Sequence, residues 1–371
     1  MKGSLKIGSI AGIKLFIHWT FAILIVYLVF SNYRRGYDAA QIGWSVLFVM
    51  SIFVTVLLHE LGHALTAKRY DIKTKDITLL PIGGLARLER MPEKPSEELK
   101  VAFAGPAVNI ALAFITWLFI DVPDAAEMVK ILEKGVNAGN FFLNFFFVNL
   151  WLAIFNLIPA FPMDGGRVLR ALLSMRYPRQ EATNIAARIG QALAVVFIFA
   201  GFFINPFLMF IGLFVFLGAR AEAEYTRTQS VLKGFTVDDV LMKEIPSVGS
   251  KEPVKTAVDL LLNGQNKNFV VMENEVPVGT LSRDDIIKAL YEKGENANIG
   301  QIMNRELVTL RGDQSLEKIY VRLPGQKSSL MLVRDNGHLK GVVDTENIME
   351  FILVKSALNK IGTAPLDREV A

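Results

Sequence analysis

The first two thirds of the chain is a series of long apolar runs separated by short polar connections. Six runs approach the roughly 20 residues that a helix needs to cross a hydrocarbon core: 13–30, 42–67, 99–120, 139–158, 189–204 and 206–221. The connection after the second, DIKTKDITLLPIGGLARLERMPEKP, alternates Ile and Leu with polar residues before a Pro-Ile-Gly-Gly break. That period of two predicts a short β-hairpin. Its Gly83 and Gly84 permit positive φ and close backbone approach. The hairpin is either an edge that accepts an extended peptide or a connector lying in the interface. From about Phe235 the texture changes to short β-rich runs alternating with short helical patterns, and the pattern repeats. TVDDVLMKEIPSV is echoed by NIGQIMNRELVTL, and FVVMENEVPVGTLSRDDIIKAL by LMLVRDNGHLKGVVDTENIMEFI, about 60 residues apart. A repeat of one supersecondary unit predicts a pseudo-symmetric pair sharing a core or cleft. The expected architecture is a multi-pass α-helical membrane domain of about six spans over 1–225, with a small β-hairpin. An α/β pair follows over 226–371, its repeats at about 235–292 and 297–356.

Composition agrees with this division. Of the 371 residues 52% are apolar and 20% charged, a balance more apolar than soluble domains show. The net charge of +4 raises nucleic acid as a partner, but Lys and Arg form no long basic block. They sit beside the apolar runs instead, which fits a membrane orientation. Lys2, Lys6 and Lys14 lie near the first run; Lys68, Arg69, Lys73, Lys75, Arg87, Arg90, Lys94 and Lys100 follow the second; Arg167, Arg170, Arg176 and Arg179 follow the fourth. The opposite connections carry only Arg34, Arg35, Lys130 and Lys134. The positive-inside rule then places both termini in the cytoplasm of a multi-pass cell-membrane protein. The first run lacks a small-residue cleavage site and reads as an anchor. With no cysteine in the chain, a metal must be held by His and carboxylates.

The chemistry is concentrated in His59-Glu60-Leu61-Gly62-His63, which fits the H-E-x-x-H zinc signature. Residues four apart share a helical face, so both imidazoles reach one Zn²⁺ while Glu60 holds a water beside it. The bland alternative is two interfacial histidines and a paired glutamate; a charge at a helix centre costs about 2.5–3.5 kcal/mol in a membrane, which weighs against it. A third protein ligand must lie at the same depth. The fourth run travels in the same direction as the second, and Asp164 in FNLIPAFPMDGGRVLR stands just beyond its end. Pro159 and Pro162 stop the helix there. Asp164 capping the helix that follows is the competing role.

HELGH, the PIGG hairpin, AGPAVN and NLIPAFPMDGG, in that order, resemble the site-2 protease family of intramembrane zinc metalloproteases over Leu5 to Arg220. The repeats resemble a pair of CBS domains over Phe235 to Val354, so the chain is similar to the bacterial and archaeal branch that carries CBS domains. The resemblance implies His59, His63 and Asp164 as zinc ligands, Glu60 as the catalytic acid and base, and Asn156 near the scissile peptide. Asn156 either donates to the developing oxyanion or hydrogen-bonds between helices. Asn109 of AGPAVN leans toward a structural role, with Gly105 and Pro106 allowing a close-packed helix start. Gly83 and Gly84 are substrate-side candidates. Substrates would be transmembrane segments of other proteins, unwound locally because a helix encloses its own peptide bonds.

In the CBS pair, Ser282 and Asp285 of GTLSRDDI stand where adenine nucleotides are commonly held at a helix start. The second copy has Asp344 and Asn347 at those places, which departs from the pattern. A purely structural or dimerising pair, forming a homo-oligomer, is the alternative to AMP or ATP binding. His18, in FIHWT, is expected within the first helix beside Trp19. Two competing functions remain: a CBS-linked ion transporter with Glu60 and Asp164 lining the path, and an inactive scaffold. The H-E-x-x-H spacing and the intact His59, Glu60, His63 and Asp164 argue against them.

Overall fold

A computed structural model of the chain describes residues 3–361 apart from 82, 125–134, 265, 324–329 and 336. Lys2, Lys130 and Lys134, used above for the charge pattern, lie outside the described residues. The chain divides into two compact units, Met1–Glu224 and Tyr225–Ala371.

The first unit opens with strands β1 (Ser4–Ile10) and β2 (Ile13–His18), paired antiparallel from Ile10↔Ile13 outward. Their connection is Ala11-Gly12, both at positive φ, the backbone that matches the twist of a two-residue hairpin. Helices α1 (Thr20–Arg34) and α2 (Ala39–Lys68) follow. Asp38 starts α2 with a reciprocal cap: its carboxylate accepts from the Gln41 N–H at 2.7 Å, and the Gln41 side chain accepts from the Asp38 N–H at 3.1 Å. The chain then makes β3 (Thr74–Leu80) and β4 (Gly83–Leu88). The sheet order is β1-β2-β3-β4, with β2 parallel to β3 and β3 antiparallel to β4. Asp76 of β3 accepts from Arg87 of β4, and β4, like β1 at the other side, is an edge strand.

Helix α3 (Pro95–Trp117) begins with proline, whose missing N–H costs nothing in a first turn. It lies close against α2: a Cβ on Gly62 would stand 2.8 Å from the Ala104 carbonyl. Helices α4 (Phe141–Asn156), α5 (Asp164–Ser174), α6 (Arg179–Phe203) and α7 (Phe207–Leu232) follow among the described residues. Between α4 and α5 the backbone folds back on itself. A Cβ on Gly165 would come within 2.2 Å of the Ile158 carbonyl, and one on Gly166 within 2.6 Å of the Phe161 nitrogen. Only glycines let the first turn of α5 sit in that loop.

Three described helices are long and apolar enough to cross a membrane, Ala39–Lys68, Pro95–Trp117 and Arg179–Phe203; Thr20–Arg34 and Phe141–Asn156 are shorter apolar helices. The first expected span is corrected at its start. Residues 13–18 form a strand, and His18 ends that strand rather than lying in the helix. An apolar run alone does not separate strand from helix. Here Ile13 and Leu15 are buried while Lys14 is exposed, the alternation of a strand with one face covered, and β1 and β3 pair with its two edges. His18 Nδ1 lies 2.7 Å from the Thr20 hydroxyl at the start of α1.

In the second unit two three-stranded sheets repeat one pattern. Strands β5 (Ser247–Gly249), β6 (Asn268–Glu273) and β7 (Val276–Ser282) pair parallel and then antiparallel. Strands β8 (Thr309–Leu310), β9 (Leu330–Asp335) and β10 (His338–Asp344) do the same. Helices α8 (Val254–Asn263) and α9 (Arg283–Lys293) accompany the first sheet, and α10 (Leu316–Arg322) and α11 (Thr345–Ile361) the second. Val270, Leu330, Leu332 and Val342 pack into one buried cluster that joins the two halves.

Candidate metal centre

Helix geometry sets the first two groups. His59 and His63 are four residues apart on α2, so their rings lie on one face, 4.8 Å between centroids and at 81° to each other. Their Nε2 atoms are 3.1 Å apart, and each is 3.1 Å from Oδ2 of Asp164, the first residue of α5. All three side chains are buried.

The other ring nitrogens explain why this triangle suits a cation. His59 Nδ1 lies 2.5 Å from Asn109 Oδ1, and His63 Nδ1 lies 2.7 Å from the Val101 carbonyl oxygen. A ring nitrogen facing a carbonyl carries the proton, so each neutral imidazole keeps a bare lone pair on Nε2. Two lone pairs and a carboxylate oxygen then converge in a buried space. Such a set is repulsive alone and favourable around a divalent ion. The donor types are those of zinc, and tetrahedral bonds of about 2.0–2.1 Å put ligand atoms about 3.3–3.4 Å apart, close to the triangle seen. Among the described residues, His59, His63 and Asp164 form the group able to hold a metal.

Glycine makes the room. A Cβ on Gly105 of α3 would lie 2.2 Å from His63 Nε2 and 2.7 Å from His59 Nε2. Beyond the helix packing expected of it, Gly105 faces the two rings. Glu60, half-buried on the next position of α2, is bordered by β4: a Cβ on Gly84 would stand 2.7 Å from Glu60 Cγ and 3.2 Å from its Oε1. Gly83 has φ of 139° and open space where a Cβ would go. Asn156 is half-buried and donates to the Leu152 carbonyl in its own helix at 2.9 Å. The structure thus brings together His59, His63, Asp164 and Asn109, with Glu60 and Gly84 beside them; Asn156 is turned to its own backbone.

Two features were missed in the sequence. Asn149 of α4, fully buried, accepts from Asn109 Nδ2 at 3.3 Å. The second is an ion cluster carried by α3, α5, α6 and α7. Glu98, fully buried at the start of α3, accepts from Arg170 Nε at 2.8 Å and pairs with Arg179 at 3.0 Å, while Arg170 also donates to Glu222 at 2.5 Å. Burial opposes the Arg170 charge, but the Glu98 and Glu222 carboxylates outweigh it and hold its pKa above the usual value. Charged residues beside apolar runs are the signal the sequence offers, and orientation in a membrane accounts for them equally well.

In the second unit, Ser282 and Asp285 meet each other. The Ser282 hydroxyl donates to Asp285 Oδ2 at 2.6 Å and accepts from the Asp285 N–H, capping α9. In the second repeat Asp344 accepts from Asn268 at 2.7 Å, and Asn347 donates to the Val240 carbonyl at 2.7 Å.

Comparison with known proteins adds the context. Peptidase family M50 matches residues 47–125 and 122–197, and the CBS domain matches 237–292 and 299–354. A zinc metalloprotease of Methanocaldococcus jannaschii is 30% identical over 350 residues, covering 94% of this chain and 96% of its own length. Stage IV sporulation protein FB of Bacillus subtilis is 25% identical over 265 residues, 69% of this chain and 88% of its own. The solved site-2 protease from Methanocaldococcus jannaschii is 35% identical with a TM-score of 0.43, covering 59% of this chain and 95% of that one.

Proposed function

The chain belongs to the peptidase M50, or site-2 protease, family of intramembrane zinc metalloproteases and carries a CBS-domain pair, and from that premise we propose the roles of its residues. His59, His63 and Asp164 hold one zinc ion, and Glu60 is the catalytic acid and base. The observation that carries this reading is the convergence of two bare imidazole nitrogens and one carboxylate oxygen at 3.1 Å. A bound zinc ion supplies a Lewis acid and lowers the pKa of a water to about 7. Glu60 takes the proton of the attacking water and returns it to the leaving amide nitrogen. Asn109 keeps the His59 ring in orientation. For Asn156 to meet an oxyanion it must give up its bond to Leu152.

The substrate is a peptide bond within or near a transmembrane segment of another membrane protein. Such a bond is enclosed by its own helix, so the segment unwinds before attack. Strand β4 supports where it goes, because it is an edge strand of its sheet and a Cβ on Gly84 would stand 2.7 Å from Glu60 Cγ. A peptide added along β4 gains backbone hydrogen bonds in place of its helical ones and passes the catalytic carboxylate. About six spans with cytoplasmic termini fit the Lys and Arg pattern, with the first unit reading as the protease domain. The CBS pair modulates cleavage, through an adenine nucleotide near Ser282 and Asp285 or through association of two chains.

The test measures zinc content and cleavage of a reporter membrane segment for the wild type and Glu60→Gln. Zinc retained and cleavage lost in the variant is expected; unaltered cleavage sinks the role of Glu60, and an active wild type without zinc sinks the mechanism.

A further inference from the structure

Asn149 is fully buried in α4, and neither the mechanism above nor the motifs of the sequence use it. Its side chain ends a line of polar contacts that starts at the metal centre. His59 Nδ1 lies 2.5 Å from Asn109 Oδ1, Asn109 Nδ2 donates to Asn149 Oδ1 at 3.3 Å, and Asn149 Nδ2 donates to the Phe145 carbonyl at 2.9 Å. The last acceptor is a backbone oxygen, which has no proton to offer. Asn149 must therefore turn its NH₂ toward Phe145 and its oxygen toward Asn109. Asn109 must in turn give its NH₂ to Asn149, which leaves its own oxygen for His59.

We propose that Asn149 is a positioning residue that fixes the His59 tautomer through Asn109, leaving His59 Nε2 bare for the metal. The inference rests on the metal-site reading above. Without Asn149 the Asn109 amide loses the contact that tells its two ends apart. The flipped amide points NH₂ at His59 Nδ1 and drives the ring proton to Nε2, where a ligand needs its lone pair. Asn109 is itself fully buried, so no bulk water substitutes for the missing acceptor. His63 shows why only one histidine needs the device. Its Nδ1 faces the backbone oxygen of Val101 directly, and a helical carbonyl cannot flip.

The test is zinc affinity of the full chain in detergent, by competition with a chelating dye. The comparison is wild type, Asn149→Leu, Asn109→Asp, the Asn109→Asp/Asn149→Leu double variant and His59→Ala. A carboxylate at 109 accepts from His59 through either oxygen, so it has no wrong orientation for Asn149 to prevent. Asn149→Leu is expected to weaken zinc binding about 10–100-fold in the wild-type background. In the Asn109→Asp background the Asn149 oxygen faces a carboxylate oxygen that has no proton for it, so the same change removes a repulsion and zinc affinity does not fall. Equal losses in both backgrounds mean a packing role and overturn the proposal, as does no loss in the wild-type background. Should the leucine variant not fold, Asn149→Ala carries the same comparison with a smaller side chain. A wild type that binds zinc no better than His59→Ala overturns the metal reading, and the proposal with it.

Discussion

Replacing Gly105 by alanine adds a single methyl group whose position the α3 backbone dictates. That carbon would stand 2.2 Å from His63 Nε2, 2.6 Å from His63 Cε1 and 2.7 Å from His59 Nε2. Heavy atoms in ordinary contact are about 3.5–4.0 Å apart, so the His63 ring must retreat by roughly 1 Å or more. Metal–ligand distances tolerate about 0.2 Å. A retreat of that size also breaks the 2.7 Å contact of His63 Nδ1 with the Val101 carbonyl. The helix itself gains, because alanine inside a helix is favoured over glycine by about 0.5–1 kcal/mol. Expected is a loss of zinc affinity of about 100-fold or more, with cleavage lost in parallel, since a bonded ligand should matter more than its outer partners. Metal content of the purified protein, chelator competition and helical circular dichroism check this together. Gly43→Ala on α2, where a Cβ meets nothing within 4 Å, is the matched control and keeps its zinc. Full zinc occupancy and normal cleavage in Gly105→Ala would refute the claim that the rings occupy the space beside Gly105.

Other substitutions separate the remaining elements. Gly84→Ala pushes first on Glu60 and Val56, so cleavage should fall about 10–100-fold while zinc content is unchanged. Arg170→Met leaves Glu98 short of its closest partner and should cost about 3–5 kcal/mol, read as a lowered thermal midpoint. The double variant Glu98→Leu/Arg170→Met should be milder than the single one, since it removes the stranded charge as well. Ser282→Ala removes the cap of α9 and should destabilise the second unit by about 1 kcal/mol, seen in denaturant unfolding of the full chain. A drop in thermal midpoint below about 1 °C would deny the cap its role.

Features that depend on neighbours along the chain are legible before the chain folds. H-E-x-x-H puts two imidazoles on one face because four residues make just over one helical turn. Asp164 was legible because two prolines stop the preceding helix and the run carrying them travels the same way as α2. The repeated strand and helix patterns marked the CBS pair, and the alternation around Pro-Ile-Gly-Gly marked β3 and β4. Tertiary structure decided whatever depends on which elements meet. Residues 13–18 are apolar enough for either state and became a strand because β1 and β3 lie on its two sides. Glu98 and Arg170, 72 residues apart, are ordinary surface charges until α3 and α5 enclose them. The importance of Gly105 lies in an absent atom, visible only once the rings that fill its place are known. Asn149 acts across three helices, and nothing local links it to His59; its meaning comes from the direction of hydrogen bonds that folding alone assembles.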